Sequence, residues 1–491
     1  MTNLSWGKRA GAVFVLCGAM VIVSPAQVFT TLVTFNGDNG AQPEDTLVQG
    51  ADGSLYGTTL SGGSHSCVYY QVCGTVFRVT PSGGLKTVLV NDGEDPVAGL
   101  ALGTDGDYYG TTYFGGENSP PCDNNGCGTV FKVTSSGTQT PLHNFDSTDG
   151  ANPSFGLLIQ AADGSFYGAT EVGGTGTCTP PLGEGCGTIF KITPGGTLIT
   201  LHSFVGTDGA YPEGSLVQGT DGNFYGTTTG GSECSEGCGT VFKITSDGTL
   251  ATLHVFDSTD GAFPHNTLVR ATDGNLYGIT AVGGNNVGTC GDNGCGTLFR
   301  ITPLGTLTTI YSFCSLTSCA DGYSPEGLIQ ASDGNFYGAT GGGGSNDIGT
   351  VFQVSSGGVL TTLHDFDYSD GSYPYAGPIQ ATDGSFYGTT TYGGRDDCHI
   401  GCGTAYKLST GLGPFVSFVR NPAKAGQAFG ILGQGFTGTT SVSLNGTPAS
   451  FTVVSDTYIR ATVPASATTG YVTVTTPSGT LTSNVPFHVI K

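Results

Sequence analysis

The stretch "ATDGSFYGTT" at residues 381–390 recurs along the chain in closely similar form. Copies stand at 51–59 ("ADGSLYGTT"), 219–228 ("GTDGNFYGTT") and 331–340 ("ASDGNFYGAT"). The shared phrase Asp-Gly-x-[Leu/Phe/Tyr]-Tyr-Gly begins at seven aspartates, 50 to 60 residues apart: Asp52, Asp105, Asp163, Asp221, Asp273, Asp333 and Asp383. A catalytic motif usually occurs once, whereas a period of this length is typical of a solenoid or a propeller.

Each unit can be divided into four short strands. In the fourth unit the strands are predicted at 214–218, 223–228, 239–245 and 250–256. The Asp-Gly pairs between the first and second strands, and between the third and fourth, indicate hairpin turns, because glycine tolerates positive φ. Four strands in each of seven units predict an all-β fold, a seven-bladed β-propeller.

The two ends of the repeat predict how the ring closes. The last unit has no fourth strand after residues 403–409, and an unassigned strand of the fourth type, "VFTTLVTF" (28–35), stands at the front. It is similar to "LTTLHDF" at 360–366. Pairing of 28–35 with 403–409 would complete the seventh blade and leave no open sheet edge. The propeller is therefore expected to span residues 27–412.

The first 26 residues have the pattern of a signal peptide. Lys8 and Arg9 precede an apolar stretch at 10–23, and the small residues Ser24 and Ala26 predict cleavage after Ala26. The alternative is an uncleaved anchor, but the apolar stretch is shorter than the roughly 18 residues of a spanning helix. We expect a secreted or cell-surface protein without a transmembrane segment after cleavage.

The charge of the chain limits its partners. Without residues 1–26 the chain keeps 13 basic and 37 acidic residues, a net charge of −24. This balance argues against nucleic acids and anionic membranes, which bind cationic surfaces. The expected partner is an extracellular protein or glycan, the expected state is a monomer, and no cofactor is indicated.

The cysteines beyond Cys17 form seven close pairs. In an exported chain this pattern predicts seven local disulfides. Metal binding is the alternative, but the chain has few histidines to accompany it. The predicted pairs are Cys67/Cys73, Cys122/Cys127, Cys178/Cys186, Cys234/Cys238, Cys290/Cys295, Cys314/Cys319 and Cys398/Cys402.

Residues 413–491 no longer follow the repeat. About seven short alternating runs predict a small β-sandwich. The segments "NPAKAGQAFGILGQGFTG", "VSLNGTPASF" and "VPASATTGYVTVTTPSG" resemble the IPT/TIG immunoglobulin-like domain. The resemblance implies a sandwich that serves binding, spacing or domain packing and has no catalytic role.

The repeats themselves resemble the GloVer-type tandem repeats of secreted bacterial proteins. The residues that carry this resemblance are "LVQGTDGNFYGTT" (216–228), "GCGTVFKIT" (237–245) and "TLHVFDSTDGAFP" (252–264). The similarity extends over about 28–410 and implies no particular activity.

Repeated histidines and aspartates have structural interpretations. Histidines at one repeat position, "L-H-x-F", are expected to pack within blades: His143, His202, His254 and His364. Aspartates in the connections between units are expected in Asp-Gly turns, with calcium binding as the alternative: Asp149, Asp208, Asp260, Asp321 and Asp370. His65, His265, His399 and His488 are unrepeated and have no evident triad partners. No metal site and no catalytic residue is predicted.

The predicted function is that of a secreted binding or structural propeller without catalysis. The alternative is an extracellular propeller hydrolase or lyase that acts on glycan, with unrepeated candidates Glu171, Glu233, Arg395, Asp396 and Asp397. Two or more unrepeated carboxylates at the mouth of the channel would favour the enzyme.

The ligand is expected on the face that carries the cysteine loops, because loops on a rigid scaffold provide binding diversity. Tyr69, Tyr70, Arg395 and His399 are the candidate ligand-binding residues, since they are unrepeated and of types frequent in interfaces. The alternative is that these loops are only a solvated rim.

Overall fold

The computed structural model describes residues 27–63, 74–89, 96, 98–116, 122, 126–153, 156–178, 185–231, 238–286, 290, 294–394, 398 and 401–490. The predicted signal peptide at 1–26 lies outside these ranges. Within them the chain is all-β apart from short 3₁₀ turns such as Thr317–Cys319. Over the same ranges, no helix has both the length and the apolar character needed to cross a membrane.

The repeat region (27–412) consists of strands β1 to β28. In chain order they are β1 (Val28–Thr34); β2 (Val48–Gln49), β3 (Leu55–Thr59), β4 (Thr75–Val79) and β5 (Leu85–Leu89) of sheet 1; β6 (Ala101–Leu102), β7 (Tyr108–Thr112), β8 (Thr129–Val133) and β9 (Gln139–Asn144) of sheet 2; β10 (Ile159–Gln160), β11 (Phe166–Thr170), β12 (Thr188–Ile192) and β13 (Leu198–Ser203) of sheet 3; β14 (Val217–Gln218), β15 (Phe224–Thr228), β16 (Thr240–Ile244) and β17 (Leu250–Val255) of sheet 4; β18 (Val269–Arg270), β19 (Leu276–Thr280), β20 (Thr297–Ile301) and β21 (Leu307–Ser312) of sheet 5; β22 (Tyr323–Gln330), β23 (Phe336–Gly342), β24 (Thr350–Val354) and β25 (Leu360–Asp365) of sheet 6; and β26 (Ile379–Gln380), β27 (Phe386–Thr390) and β28 (Thr404–Ser409) of sheet 7.

The described part of the repeat region forms seven four-stranded antiparallel sheets. In sheets 1 to 6 the strands lie side by side in chain order. In sheet 7 the outer position belongs to β1, which pairs antiparallel with β28 from Val28 opposite Ser409 to Thr34 opposite Thr404. Sheet 7 therefore joins the two ends of the repeat region.

The repeated Asp-Gly phrase forms the turn between the first and second strands of each sheet. In sheet 4, Gly222 has a φ of +83° and its amide donates to the Gly219 carbonyl over 3.1 Å. The Asp221 carboxylate accepts from the Asn223 amide (3.2 Å) and from the hydroxyl of Tyr225 (2.9 Å). The same Asp–Tyr hydrogen bond closes the turn in all seven sheets.

The tyrosine and glycine that end the phrase set the spacing within and between sheets. A Cβ atom on Gly278 would lie 2.4 Å from Cζ of Phe299 on the neighbouring strand, so the ring leaves no room for a side chain. The tyrosine packs instead on the next sheet, as in the stack of Tyr167 on Phe224, with ring centroids 4.1 Å apart. One phrase thus encodes a turn and two packing contacts.

A glutamine at the end of most first strands joins adjacent sheets. Gln218 of sheet 4 accepts from the Ala162 amide of sheet 3 (3.1 Å) and donates to the Gly222 carbonyl of its own turn (3.1 Å). In the same way Gln49 of sheet 1 accepts from the Thr382 amide of sheet 7 over 3.0 Å. Sheets 7 and 1 are therefore in direct contact.

The repeated histidines do more than pack. Each ring packs against the phenylalanine two residues after the histidine, as expected. Its Nε2 also contacts the aspartate six residues after the histidine. The pairs and their N–O distances are His143–Asp149 (2.7 Å), His202–Asp208 (2.9 Å), His254–Asp260 (2.7 Å) and His364–Asp370 (2.8 Å). Interpretation of these histidines as packing residues alone was incomplete, because it missed this link between a strand and the next connection.

Disulfides tie the loops between second and third strands, together with one connection. The described residues contain the bonds Cys122–Cys127, Cys178–Cys186, Cys290–Cys295, Cys314–Cys319 and Cys398–Cys402. In sheet 6 the buried side chain of Ile348 occupies the loop in place of a cysteine.

Two of the seven predicted disulfides have at least one cysteine outside the described residues. Cys238 is buried and belongs to a disulfide, and its Sγ lies 3.1 Å from Oγ of Ser258 in the connection that follows sheet 4. Its predicted partner, Cys234, lies outside the described residues, and so do both members of the pair Cys67/Cys73. The pairings of Cys234 with Cys238 and of Cys67 with Cys73 therefore stay predictions.

The C-terminal region (413–490) forms a second β structure around its own apolar core, which includes Phe429, Ile459 and Phe487. Its strands are β29 (Ser417–Phe418), β30 (Ala423–Lys424), β31 (Ala428–Leu432), β32 (Ser441–Leu444), β33 (Thr447–Pro448), β34 (Phe451–Ser455), β35 (Tyr458–Thr462), β36 (Val472–Thr476), β37 (Gly479–Thr482) and β38 (Val489–Ile490). They form sheets β29-β31-β35-β34 and β33-β32-β36-β37 and a parallel pair β30-β38. The sequence predicts about seven strands; four of those described have only two residues, too short to show an alternating pattern.

The C-terminal region packs on the Asp-Gly turns, on what we call the turn face. The hydroxyls of Ser455 (3.1 Å) and Thr457 (2.6 Å) donate to the Ala51 carbonyl of the first turn. Tyr458 and Leu432 join an apolar cluster with residues of sheets 1 and 2, including Tyr56 and Tyr108. The turn face is therefore partly covered, whereas the opposite face, the loop face, carries the cysteine loops and connections.

The close contact at the repeated glycine predicts a specific loss of stability. We expect Gly278→Ala to lower the free energy of unfolding by about 1–3 kcal/mol, because the new methyl group overlaps the Phe299 ring. Denaturant titration followed by circular dichroism measures the change. The matched control is Gly413→Ala, where a Cβ meets no atom within 4 Å. Equal stability of the two variants would contradict the packing role of the repeated glycine.

Candidate functional site

The first strands of the sheets and the residues just before them line two neighbouring cavities. Each first strand begins near the loop face and ends at its Asp-Gly turn. At the loop-face end lies a cavity of about 300 Å³, here called the mouth pocket. It is lined by Glu44, Asp45, Thr46, Leu157, His265, Asn266, Thr267, Glu326, Gly327, Leu328, Ile329, Tyr375, Ala376, Gly377 and Pro378. Sheets 1, 3, 5, 6 and 7 therefore all contribute to it.

A second cavity, here called the central cavity, has a volume of about 370 Å³ and lies towards the turn face. It is lined by the first strands of sheets 1 to 5 and shares Leu157 and Thr267 with the mouth pocket. Phe418, Val419 and Leu432 of the C-terminal region also line it. The docked C-terminal region thus covers the turn-face end of this cavity.

An ion pair occupies the wall of the mouth pocket. Nε2 of His265 lies 2.7 Å from Oε2 of Glu326, and Nδ2 of Asn266 donates to the same oxygen over 3.1 Å. The side chains of His265 and Glu326 are 23% and 8% exposed. Burial alone would lower the pKa of His265, but the negative charges of Glu326 and Glu213 outweigh it and raise the pKa to about 9. The imidazole is therefore charged at neutral pH.

Three further carboxyl groups are connected with this pair or with the pocket. Asp45 lines the pocket, Glu213 interacts electrostatically with His265, and Glu171 interacts with Glu213. Burial raises the pKa of Glu213, although the charge of His265 opposes the shift. Burial, assisted by the charge of Glu213, raises the pKa of Glu171 to about 7. Burial also raises the pKa of Asp45 to about 7, even though the amides of Thr46 and Gly99 donate hydrogen bonds to it. Carboxyl groups in this range can both give and take protons near neutral pH.

The arrangement suits a ligand rich in hydroxyl groups. Carboxylates accept hydrogen bonds from hydroxyls, and the amide of Asn266 can both donate and accept. At the edge of the pocket the Tyr375 side chain is 43% exposed, which leaves an aromatic face available for an apolar ring surface. A concave cavity with a few convergent polar groups is the usual form of a small-ligand site.

The mouth pocket does not assemble a metal site from its described residues. Across the described chain, three potential ligand atoms come together at Cys290, Cys314 and Cys319. All three sulfurs belong to disulfides, so the group offers no thiolate ligands.

The candidate residues from the sequence have different outcomes. Tyr69, Tyr70, Arg395 and His399 lie outside the described residues, as do Glu233, Asp396 and Asp397. Glu171 lies close enough to Glu213 that the negative charge of Glu213 contributes to the raised pKa of Glu171. The sequence showed no triad partner for His265; the fold brings Glu326, 61 residues away, into contact with it.

Sequence reasoning missed Glu326 and Glu213, which occupy the same position of the repeat, directly after a proline. All seven units carry a proline before the first strand or, in sheet 6, near its start, and the next residue varies strongly. It is Glu44, Val97, Ser154, Glu213, His265, Glu326 or Tyr375, after Pro43, Pro96, Pro153, Pro212, Pro264, Pro325 and Pro374. Variation at one position within an otherwise uniform repeat is the signal that could have identified the mouth pocket.

The shifted groups predict how stability changes with pH. Asp45 and Glu171 have folded pKa values of about 7, above their usual 3.8 and 4.5, so the folded chain holds protons that the unfolded chain has released. Their effect lowers stability as pH rises towards 7. Charged His265 contributes its full stabilisation of the folded chain below pH 6.5. This contribution is lost as the pH rises through the folded pKa of about 9.

We therefore expect the thermal unfolding midpoint to fall between pH 5 and pH 9 at constant ionic strength. Glu171→Gln should flatten the part of this profile between pH 5 and pH 7, because it removes one of the raised carboxyl groups. A midpoint that rises over this window in the wild-type protein would contradict the assigned protonation states.

Solved structures show similarity at the level of the fold. A fungal alcohol oxidase of the AA5 family is 13% identical, with 94% of this chain and 98% of that chain covered and a TM-score of 0.53. A virginiamycin B lyase from Staphylococcus aureus is 13% identical, with 78% of this chain and 99% of that chain covered and a TM-score of 0.50. These similarities support a propeller fold and say nothing of activity. A search of curated proteins finds no match.

Family comparison covers nearly all of the chain. The Gloeobacter/Verrucomicrobia repeat matches three overlapping segments, 10–179, 122–318 and 289–439. The IPT/TIG domain matches residues 415–489, within the region that docks on the turn face. The chain belongs to the Gloeobacter/Verrucomicrobia repeat family and carries an IPT/TIG domain at its C-terminus.

Proposed function

We propose that the repeat region is a closed seven-bladed propeller, at 27–412, followed by an immunoglobulin-like domain at 413–491. Three contacts support closure. The β1–β28 pairing joins the two ends of the repeat region within sheet 7. Between sheets 7 and 1 lie the Gln49–Thr382 hydrogen bonds and the packing of Tyr387 and Leu55 in one apolar cluster. The disulfides support export, and in this proposal residues 1–26 are the signal peptide that directs it.

We propose that this exported protein binds an extracellular saccharide in the mouth pocket. The observation that carries the proposal is that the variable residue after the repeated proline places carboxylates, a charged imidazole and a tyrosine around one cavity. Hydroxyl groups of a sugar would donate to Glu326 and Glu44, which line the pocket, and its apolar face would lie on Tyr375. The volume of about 300 Å³ fits one or two sugar rings.

A second candidate function is hydrolysis or elimination on such a glycan. The observation that favours it is the group of unrepeated carboxyls with raised pKa values beside His265. Either reaction needs one group to protonate the departing oxygen and another to accept a proton from water or carbon. Charged His265 or a protonated carboxyl can serve as the acid, and the Glu326 carboxylate can serve as the base.

Loss of the central carboxylate should weaken saccharide binding. We expect Glu326→Gln to lower affinity at least about tenfold, because it removes the charged acceptor and the ion-pair partner of His265. A glycan array followed by calorimetry with the best saccharide measures the change. Asn275→Ala on the turn face is the control, since Asn275 bonds only within its own turn.

The same experiment separates the alternatives. Unchanged binding in Glu326→Gln, with loss in a Tyr69→Ala, Tyr70→Ala and Arg395→Ala variant, would place the ligand on the cysteine loops and away from the mouth pocket. Release of new reducing ends, or of an unsaturated product that absorbs in the ultraviolet, would establish the enzyme. Binding of a saccharide that remains intact after prolonged incubation would support the binding function alone.

Closure by β1 predicts a cooperative dependence on the N-terminal strand. Deletion of 28–35 leaves β28 as an unpaired edge, so we expect a lower thermal midpoint and aggregation. Scanning calorimetry and size-exclusion chromatography measure both effects. The matched control replaces 28–34 with the related sequence 359–365, which should restore the wild-type behaviour. Unchanged stability and monodispersity after the deletion would contradict a closed ring.

A further inference from the structure

Arg270 breaks a repeated interaction between sheets. Sheets 1, 3, 4, 6 and 7 place a glutamine at the end of the first strand, and its Oε1 accepts from a backbone amide of the preceding sheet. Sheet 2 has Leu102 there and sheet 5 has Arg270. A guanidinium group carries only donors, so Arg270 cannot replace the glutamine oxygen.

Two sets of hydrogen-bond donors therefore face the place of the missing oxygen. By position in the repeat, the Thr220 amide corresponds to Ala162 and Thr272, whose amides donate to a glutamine. Within the described residues the Thr220 amide has no acceptor. Arg270 donates from Nη1 to the Gln218 carbonyl over 3.1 Å, which leaves most of its N–H groups available.

The positive charge of Arg270 is also uncompensated. No acid of the described chain forms an ion pair with it, and burial lowers its pKa to about 10 with no carboxylate to oppose the shift. The acid that lines the same crevice, Asp221, is engaged by Lys243 at 2.8 Å. An unpaired cation in a partly buried position is costly, and a bound anion would relieve that cost.

The crevice in front of Arg270 is formed jointly by sheets 4 and 5 and the C-terminal region. It has a volume of about 160 Å³, and Pro303, Val485 and Pro486 give it an apolar wall. His488 also lines it, and burial together with the charge of Arg270 lowers the pKa of this histidine to about 4. A neutral imidazole at neutral pH adds a further donor without adding charge.

We propose that Arg270, the Thr220 amide and His488 form a binding site for a carboxylate group on a small ligand with an apolar body. One carboxylate oxygen takes the place of the glutamine oxygen in the other sheets, and the second completes a two-pronged contact with the guanidinium group. The single positive charge matches a monoanion, because a dianion would leave excess negative charge on an already acidic protein. The site is separate from the mouth pocket and does not depend on the saccharide proposal.

The test uses the full exported chain and three probes at constant ionic strength: propionate, its neutral analogue propionamide, and sulfate. The apparent pKa of His488, followed by NMR of the imidazole, should rise by at least about one unit with saturating propionate, because the anion offsets the charge of Arg270. Propionamide should produce no such rise, and sulfate should bind more weakly than propionate.

Arg270→Gln is the decisive variant, because glutamine is the residue of five other sheets and should restore the bond to Thr220. We expect it to fold and to lose at least about tenfold in propionate affinity. Arg270→Lys, which keeps the charge without the planar fork, should lose part of the affinity and serves if the first variant does not fold. Glu326→Gln should leave propionate binding unchanged.

Three outcomes would overturn the proposal. The first is that propionate causes no saturable change in the NMR signal of His488 in the wild-type protein. The second is equal propionate affinity in the wild type and both Arg270 variants. The third is that propionate and propionamide change the apparent pKa of His488 equally. Stronger binding of sulfate would overturn the assignment to a carboxylate.

Discussion

The hydrogen bond between the turn aspartate and the tyrosine four residues later is the contact on which the repeat region depends. It holds the tyrosine ring at the edge of its sheet, where the ring packs on the first residue of the next second strand. That residue is aromatic in five junctions, with centroid separations from 3.9 to 4.2 Å, and it is Leu276 or Leu55 in the other two. Each aromatic pair adds about 0.5–1.5 kcal/mol beyond the effect of buried area. The Asp–Tyr hydrogen bond of each turn therefore supports the packing of its own sheet on the next.

This coupling explains which features the sequence could predict. The strand expected at 223–228 is found at Phe224–Thr228, and that expected at 239–245 at Thr240–Ile244, because the turn, the glycine and the alternating apolar residues are local signals. The mouth pocket was not predicted, since its walls come from five sheets and its ion pair joins residues 61 positions apart. Only the alignment of units against one another exposes the variable position after the proline.

The docking of the C-terminal region has a different origin. Resemblance to the IPT/TIG domain implied a sandwich, but not the surface on which it rests. The contact uses the Ala51 carbonyl, which Ser455 and Thr457 reach, and the tyrosine cluster of sheets 1 and 2. Sheet 2 is where Leu102 replaces the bridging glutamine, and Leu102 belongs to that same apolar cluster. The departure from the repeat thus coincides with the apolar contact of the C-terminal region.

Departures from the repeat therefore need a different physical interpretation from the repeat itself. Identical side chains at one repeat position are distributed around the sheets and are satisfied by their neighbours, as the bridging glutamines are. A single substitution at such a position leaves a donor, an acceptor or a charge without its usual partner. His265, ahead of β18, and Arg270, at its end, both show this. His265 contacts Glu326 in the mouth pocket, whereas Arg270 and the Thr220 amide contact no acid among the described residues. Acidic groups therefore lie at the loop-face end of the first strands and Arg270 lies at the turn-face end. A strictly repeated sequence could not produce this difference in charge between the two ends.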